Sequence, residues 1–170
     1  RSSDLGSKKM LNNIEIKTLQ EIENKYYMQP MLESIIKDLK NNRFNLQEVF
    51  NNLYGYLLDS KEAVEKLLKE RVNRNEIKDI SQARKSIAGS AFSNLIVWVF
   101  LKNKESGNVD KDIFITNKIS QIPHFKELFY IKVGEETQKP DVDLVIYRLD
   151  SKQNLASCLI LSLKTSLRER

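Results

Sequence analysis

The sequence predicts a mixed α/β (α+β) chain, with a helical N-terminal region placed before a mixed β-sheet core flanked by helices. Three observations carry this expectation. Apolar residues recur at three- and four-residue intervals over the first hundred positions, period-two and densely apolar segments fill the last forty-five, and polar turn sequences separate those later segments.

Before Met10 the residues RSSDLGSKK are small, polar and charged, and are expected to be a tag or disordered tail over 1–9 that takes no part in the fold. From Asn13 the spacing of Ile14, Ile16, Leu19 and Ile22, then of Leu32, Ile35, Ile36 and Leu39, predicts two helices, with Pro30 suited to the first turn of the second. Asn45 is placed to cap a third helix through Val49, Phe50, Leu53 and Leu57, and Ser60 with Glu62 and Ala63 to open a fourth. Positions 10–78 thus read as a helical region, with no glycine-rich phosphate loop or solenoid repeat to reveal a role. Asp79 or Ser81 starts a longer helix whose apolar surface, from Ala83 through Ile87, Ala91, Leu95 and Val99, predicts a central core element. In it, Ala88, Gly89, Ser90 and Ala91 are small enough to admit a close neighbour, and Trp98 reads as packing. Past Gly107 a loop and a short helical stretch are expected around Asp110 to Ile122. Strands follow at Leu128 to Val133, at Val142 to Leu149 after the polar turn GEETQKP, and at Leu155 to Thr165 after the turn DSKQN, the last two dense enough in apolar residues to be inner strands.

Composition excludes several classes. With 170 residues and 41% hydrophobic content the chain suits one ordinary core with a small helical annex. Its longest apolar run, Leu95 to Leu101, is far short of the roughly 20 residues of a membrane span, so a cytoplasmic protein without membrane association is expected. One cysteine, Cys158, and one histidine, His124, supply neither a disulfide nor a zinc set. Cys158 is expected to be a buried strand residue and His124 a surface or helix-start residue. The net charge of +5 suits a polyanionic partner. Much of it, as at Lys61, Lys66, Lys69 and Arg71, alternates with Glu62, Glu65 and Glu70 in the manner of a solvated helix face.

Chemistry concentrates in the last thirty residues. Alternation along a strand puts Asp141 and Asp143 on one side and Ser162 and Lys164 on one side of the next strand. If the two strands are neighbours, two carboxylates and an ammonium meet at a sheet edge. Carboxylate oxygens suit Mg²⁺, a metal-bound water is a better nucleophile, and a lysine can orient that water and offset charge on a phosphate.

Pro140-Asp141, followed by Ser162-Leu163-Lys164, resembles the PD-(D/E)XK nuclease motif, and the continuation Lys164-Thr165-Ser166-Leu167-Arg168-Glu169-Arg170 is similar to the segment after the catalytic lysine in type II restriction endonucleases. The resemblance covers roughly Ile80 to Arg170 and implies a restriction-endonuclease-like core beginning in 79–170. Its further implications are catalysis by Asp141, Ser162 and Lys164, Mg²⁺ held by Asp141 and Asp143, and double-stranded DNA as substrate for a homodimer. Asp141 adjoins the proline while Asp143 directly precedes the apolar run Leu144-Val145-Ile146, and both stay candidates for the principal metal ligand. Ser162 stands where the motif has its second acid. A subgroup that cuts CCGG-containing sites shares this serine, takes the missing carboxylate from a helix farther along, and carries an Arg-(Asp/Glu)-Arg reader like Arg168-Glu169-Arg170. By that analogy the chain stops short of the full nuclease core. In the long helix Arg84 and Gly89 fit a family pattern whose glutamate is replaced by Ser93. The alternatives are a non-catalytic or truncated DNA-binding or interaction module with a decayed nuclease core, and a repair or junction nuclease of the same fold.

Overall fold

A computed structural model describes residues 10–123, 131–133, 136–138 and 144–161. It is a mixed α/β structure, and the described residues fall in two compact units, 10–109 and 110–161.

The first unit is helical: α1 (Asn13–Glu23), α2 (Gln29–Lys40), α3 (Leu53–Leu58), α4 (Lys61–Asn73) and α5 (Ile80–Glu105). Local chemistry sets their ends. At the start of α1, Asn12 Oδ1 accepts from the Glu15 amide at 2.8 Å and Glu15 Oε1 accepts from the Asn12 amide at 2.9 Å, a capping box that satisfies two backbone donors. Pro30 lies in the first turn of α2 as expected, where its missing amide costs nothing. Asp79 caps α5 by accepting from the Gln82 amide at 3.0 Å. The expected third helix is broken in two. A 3₁₀ stretch, Glu48–Asn52, precedes α3, with Asn45 Oδ1 accepting from the Glu48 amide at 2.9 Å.

Helices α2, α4 and α5 end alike. Asn42, Asn75 and Gly107 have φ of 57°, 59° and 85°, and the residue after each donates its amide five residues back, Arg43 to Asp38, Glu76 to Arg71 and Asn108 to Asn103. These are Schellman closures, which satisfy the last carbonyls and turn the chain sharply. Asparagine and glycine serve because they tolerate the left-handed region best.

Helix α5 is the axis of this unit and packs against α1, α3 and α4. The run Leu95 to Leu101 is wholly buried, as a central helix requires. Trp98 packs there and donates its indole N–H to Glu23 Oε2 at 3.0 Å. A close neighbour at Gly89 is not found, since a Cβ there would meet nothing within 4 Å, whereas Ala91 has no exposed surface. Among the described residues no helix is long and apolar enough to cross a membrane.

A buried ion pair lies inside this core. Lys104 has no exposed surface, and its Nζ donates to Glu15 Oε2 at 2.7 Å. Both charges suit the backbone, because Glu15 sits in the first turn of α1 and Lys104 in the last turn of α5. Together with the Glu23–Trp98 bond, the pair sets α1 antiparallel to α5.

The second unit contains β1 (Ile113–Thr116), β2 (Ile131–Val133), β3 (Glu136–Gln138), β4 (Leu144–Leu149) and β5 (Leu155–Leu161). All pairings among the described residues are antiparallel, in a sheet ordered β1-β4-β5 and a two-stranded β2-β3 ribbon. Two sequence expectations are corrected here. Positions 113–116, read as loop and short helix, form β1: four residues are too few to show a period, and their pairing partner β4 lies some thirty positions away. Among the described residues of this stretch the helical feature is the 3₁₀ turn Ile119–Gln121. Likewise the polar turn expected from Gly134 to Pro140 contains β3, whose residues Glu, Thr and Gln pair through backbone groups and carry no apolar signal.

Removing one partner of a buried ion pair leaves the other charge stranded in the core, so Lys104→Met should lower unfolding stability by about 3–5 kcal/mol. Combining it with Glu15→Gln should recover part of that loss. Urea unfolding of the single and double variants checks both statements. In the same unit burial holds the Tyr56 hydroxyl well above the ordinary tyrosine range, helped by its hydrogen bond to Asp38 and the charge of that carboxylate. A raised folded-state value means stability is full below about pH 10 and falls as pH rises beyond it, since the unfolded chain then loses a proton that the folded one keeps. Tyr56→Phe should flatten this alkaline loss in thermal unfolding measured from pH 8 to 11.

Candidate functional site

Strand β4 is the inner strand of the three. Leu144 and Val145 have no exposed surface, and Tyr147 is buried. Alternation puts Val145, Tyr147 and Leu149 on one face, where they pack with Ile122, Phe114 and Leu155. Phe114 lies opposite Tyr147 in the ladder and stacks on it at 5.4 Å between ring centroids. Thr116 closes the β1 end: its hydroxyl donates to Gln121 Oε1 at 2.8 Å and accepts from the Lys118 amide at 2.9 Å.

The β4–β5 neighbour relation expected from the DSKQN turn is present. The turn is built by Asp150, whose carboxylate accepts from the amides of Lys152 and Asn154, both at 2.9 Å, and by Gln153 at φ 65°. From it the ladder runs Leu149↔Leu155, Arg148↔Ser157, Tyr147↔Cys158, Ile146↔Leu159, Val145↔Ile160 and Leu144↔Leu161, with one extra residue, Ala156, bulged on β5. The far end of this ladder, Leu144 opposite Leu161, adjoins in sequence the segments that carry the candidate residues.

The expectation that β5 is an inner strand is corrected. Within the described sheet it lies at the edge, and Leu159 and Ile160, on opposite faces, are 57% and 47% exposed. Cys158, expected to be buried, is exposed for the same reason. Apolar density told that this segment is a strand. It did not tell how many neighbours the strand has.

Pro140, Asp141, Asp143, Ser162, Lys164, Arg168, Glu169 and Arg170 all lie outside the described residues, as does His124. Among the described residues no group of three or more His, Cys, Asp or Glu could hold a metal ion. Asp110 and Asp112, just before β1, are both engaged by Arg148 of β4. Its guanidinium donates to Asp112 Oδ2 at 2.6 Å and reaches Asp110 Oδ2 at 3.5 Å. The Asp112 hydrogen bond is the main reason the arginine is held above its ordinary range. Arg148 pairs with Ile113 and Ser157 toward the turn end of the hairpin, four residues from Leu144. This ion pair therefore ties β1 to β4 away from the end that adjoins the candidate residues.

On α5, Arg84 makes a two-pronged bond to Glu65 of α4, at 2.7 and 2.9 Å, which lowers the glutamate and raises the arginine from their ordinary ranges. This arginine is thus an inter-helix tie on an exposed surface. Lys61, Lys66 and Lys69 are exposed, as the solvated-face reading expects.

Residues 121–170 match the family model of BsaWI restriction endonuclease type 2. The matched stretch holds β2 to β5 and every candidate site residue from Asp141 to Arg170. No curated protein and no solved structure gives a significant match to the chain.

Proposed function

We propose that this chain serves a type II restriction endonuclease, which hydrolyses double-stranded DNA at a specific site with Mg²⁺. The observation that carries the reading is the restriction-endonuclease match across 121–170, which includes Asp141, Asp143, Ser162, Lys164 and Arg168 to Arg170 together. A second support is the ladder register. If the antiparallel pairing of Leu144 with Leu161 continues outward without a bulge, Asp143 falls opposite Ser162 and Asp141 opposite Lys164. Directly opposed residues share a face, with Cβ atoms about 4.5–5.5 Å apart. Two carboxylates, a hydroxyl and an ammonium then converge on one side of one hairpin end.

In this proposal Asp141 and Asp143 supply the hard oxygen donors that Mg²⁺ takes, and Ser162 adds a neutral oxygen where the motif has its second acid. Bound there, Mg²⁺ supplies Lewis-acid activation of water and charge neutralisation on the phosphate. Lys164 orients the attacking water and stabilises the extra negative charge as the phosphorus–oxygen bond forms. The water gives up a proton, the leaving oxygen takes one, and one P–O bond replaces another. Arg168 and Arg170 offer planar forks that donate to guanine O6 and N7, and Glu169 accepts from the cytosine amino group, which matches the acceptors and donors of a CCGG-type sequence. A homodimer would present two such sites to a two-fold symmetric DNA sequence.

Ser162 and Ser93, each standing where the resemblance has an acid, favour a second reading, a DNA-binding module that no longer cuts. One variant separates the two. Lys164→Ala should reduce Mg²⁺-dependent plasmid cleavage into discrete fragments by roughly a hundredfold or more while DNA binding persists. A wild-type protein that binds DNA, with no cleavage at any Mg²⁺ concentration, would establish the second reading. Cleavage unchanged by Lys164→Ala would remove the proposed active site.

A further inference from the structure

The helical unit contains an open pocket of about 460 Å³ between α2, the turn after it, and α3, within the size range of sites that bury small ligands. The Schellman closure of α2 builds one wall. With Asn42 left-handed and the Arg43 amide bonded to the Asp38 carbonyl, the chain reverses and brings Arg43 and Phe44 beside Asp38. The Arg43 guanidinium lies over the Phe44 ring at 5.4 Å and 3.9 Å from Asp38 Oδ1. From α3, Tyr56 donates to Asp38 Oδ2 at 2.7 Å, and Asp59 lines the same space, as does Lys37 of α2.

The lining therefore combines carboxylate acceptors, two cations and an aromatic ring. A carboxylate has about four acceptor sites. On Asp38 the Tyr56 bond occupies one at Oδ2, the Arg43 guanidinium stands 3.9 Å from Oδ1, and the side chain keeps 19% of its surface exposed. A complementary ligand presents N–H donors from a planar edge, a face that stacks, and an anionic group. Gly55 adds a further indication. A helical glycine costs about 0.5–1 kcal/mol relative to alanine, yet a Cβ there would meet nothing within 4 Å, so packing does not require it. Gly55 lines the pocket, and its missing side chain keeps that space open.

We propose that this pocket binds a guanine nucleotide, with the guanine N1–H and N2–H₂ edge donating to Asp38 and the ring taking the place over Phe44 that the exposed Arg43 guanidinium holds in the free chain, which releases that cation to join Lys37 at the phosphate. Guanine is the DNA base whose edge offers two parallel N–H donors to a single carboxylate. The ligand can come as a free mononucleotide or as an unpaired guanine in a single strand. The site is independent of the cleavage reading, because none of its residues lies in 121–170.

Titration calorimetry on the full chain tests it, with dGMP, dTMP, and single-stranded oligodeoxynucleotides containing one guanine or thymine only. The expected result is dGMP binding at about 1 mM or tighter, at least tenfold weaker binding of dTMP, and at least tenfold loss with either Asp38→Asn or Gly55→Leu. Gly55→Leu should keep the wild-type circular dichroism spectrum, since it fills open space in a helix. Binding of the guanine strand without dGMP, abolished by Gly55→Leu, would support the pocket and identify a strand as its source. Binding of dGMP no better than dTMP, equal affinity in Gly55→Leu, or no binding of any probe would overturn the assignment.

Discussion

The register between β4 and β5 is the constraint on which the functional reading depends. Side chains on a strand alternate with period two, so a slip of one residue would send every group to the opposite face. Here the register is fixed locally at the turn, where the Asp150 carboxylate holds two amides and Gln153 adopts the left-handed conformation that lets the chain reverse. It is also fixed by packing, since Val145, Tyr147 and Leu149 must face Ile122, Phe114 and Leu155 for either set to be buried. The Arg148 pair with Asp112 pins the neighbouring β1 at the turn end. A hairpin held in this way at one end can present polar groups at the other without those groups stabilising it themselves.

The helical unit is organised on different terms. Its α5 is buried along most of its second half, and the one charge enclosed there, Lys104, is met by Glu15. A buried pair of this kind adds little net stability over an apolar substitute, yet it is selective, because any other docking of α1 on α5 would leave a charge unpaired. Glu15 also caps its own helix through the other carboxylate oxygen, so one side chain sets both where α1 begins and where it lies.

Much of the helical unit was legible from periodicity and caps. Pro30, Ser60 and Asp79 stand at the starts of α2, α4 and α5, and the apolar run from Leu95 to Leu101 is core. What escaped was non-local. Strand β1 exists because β4 pairs with it, and β3 because β2 does, and neither fact is written in four or three residues. Cys158 read as buried and its strand as an inner one because apolar content reports a strand's preference, while exposure depends on neighbours elsewhere in the chain. The α2–α3 pocket left no signal, since Asp38 and Tyr56 are eighteen positions apart and meet only after the Asn42 turn. For the candidate catalytic residues the signal was a motif, and the family match to 121–170 rests on the same segment.

The central claim is that the groups flanking the far end of the β4–β5 ladder form one metal-binding centre. Iron(II) substituted for Mg²⁺, with ascorbate and peroxide, cuts a polypeptide next to where the metal sits, so peptide mapping of the cut chain locates the ion. The account predicts scission near both Asp141–Asp143 and Ser162–Lys164, suppressed by excess Mg²⁺. Scission at only one of these segments, or elsewhere in the chain, would contradict it.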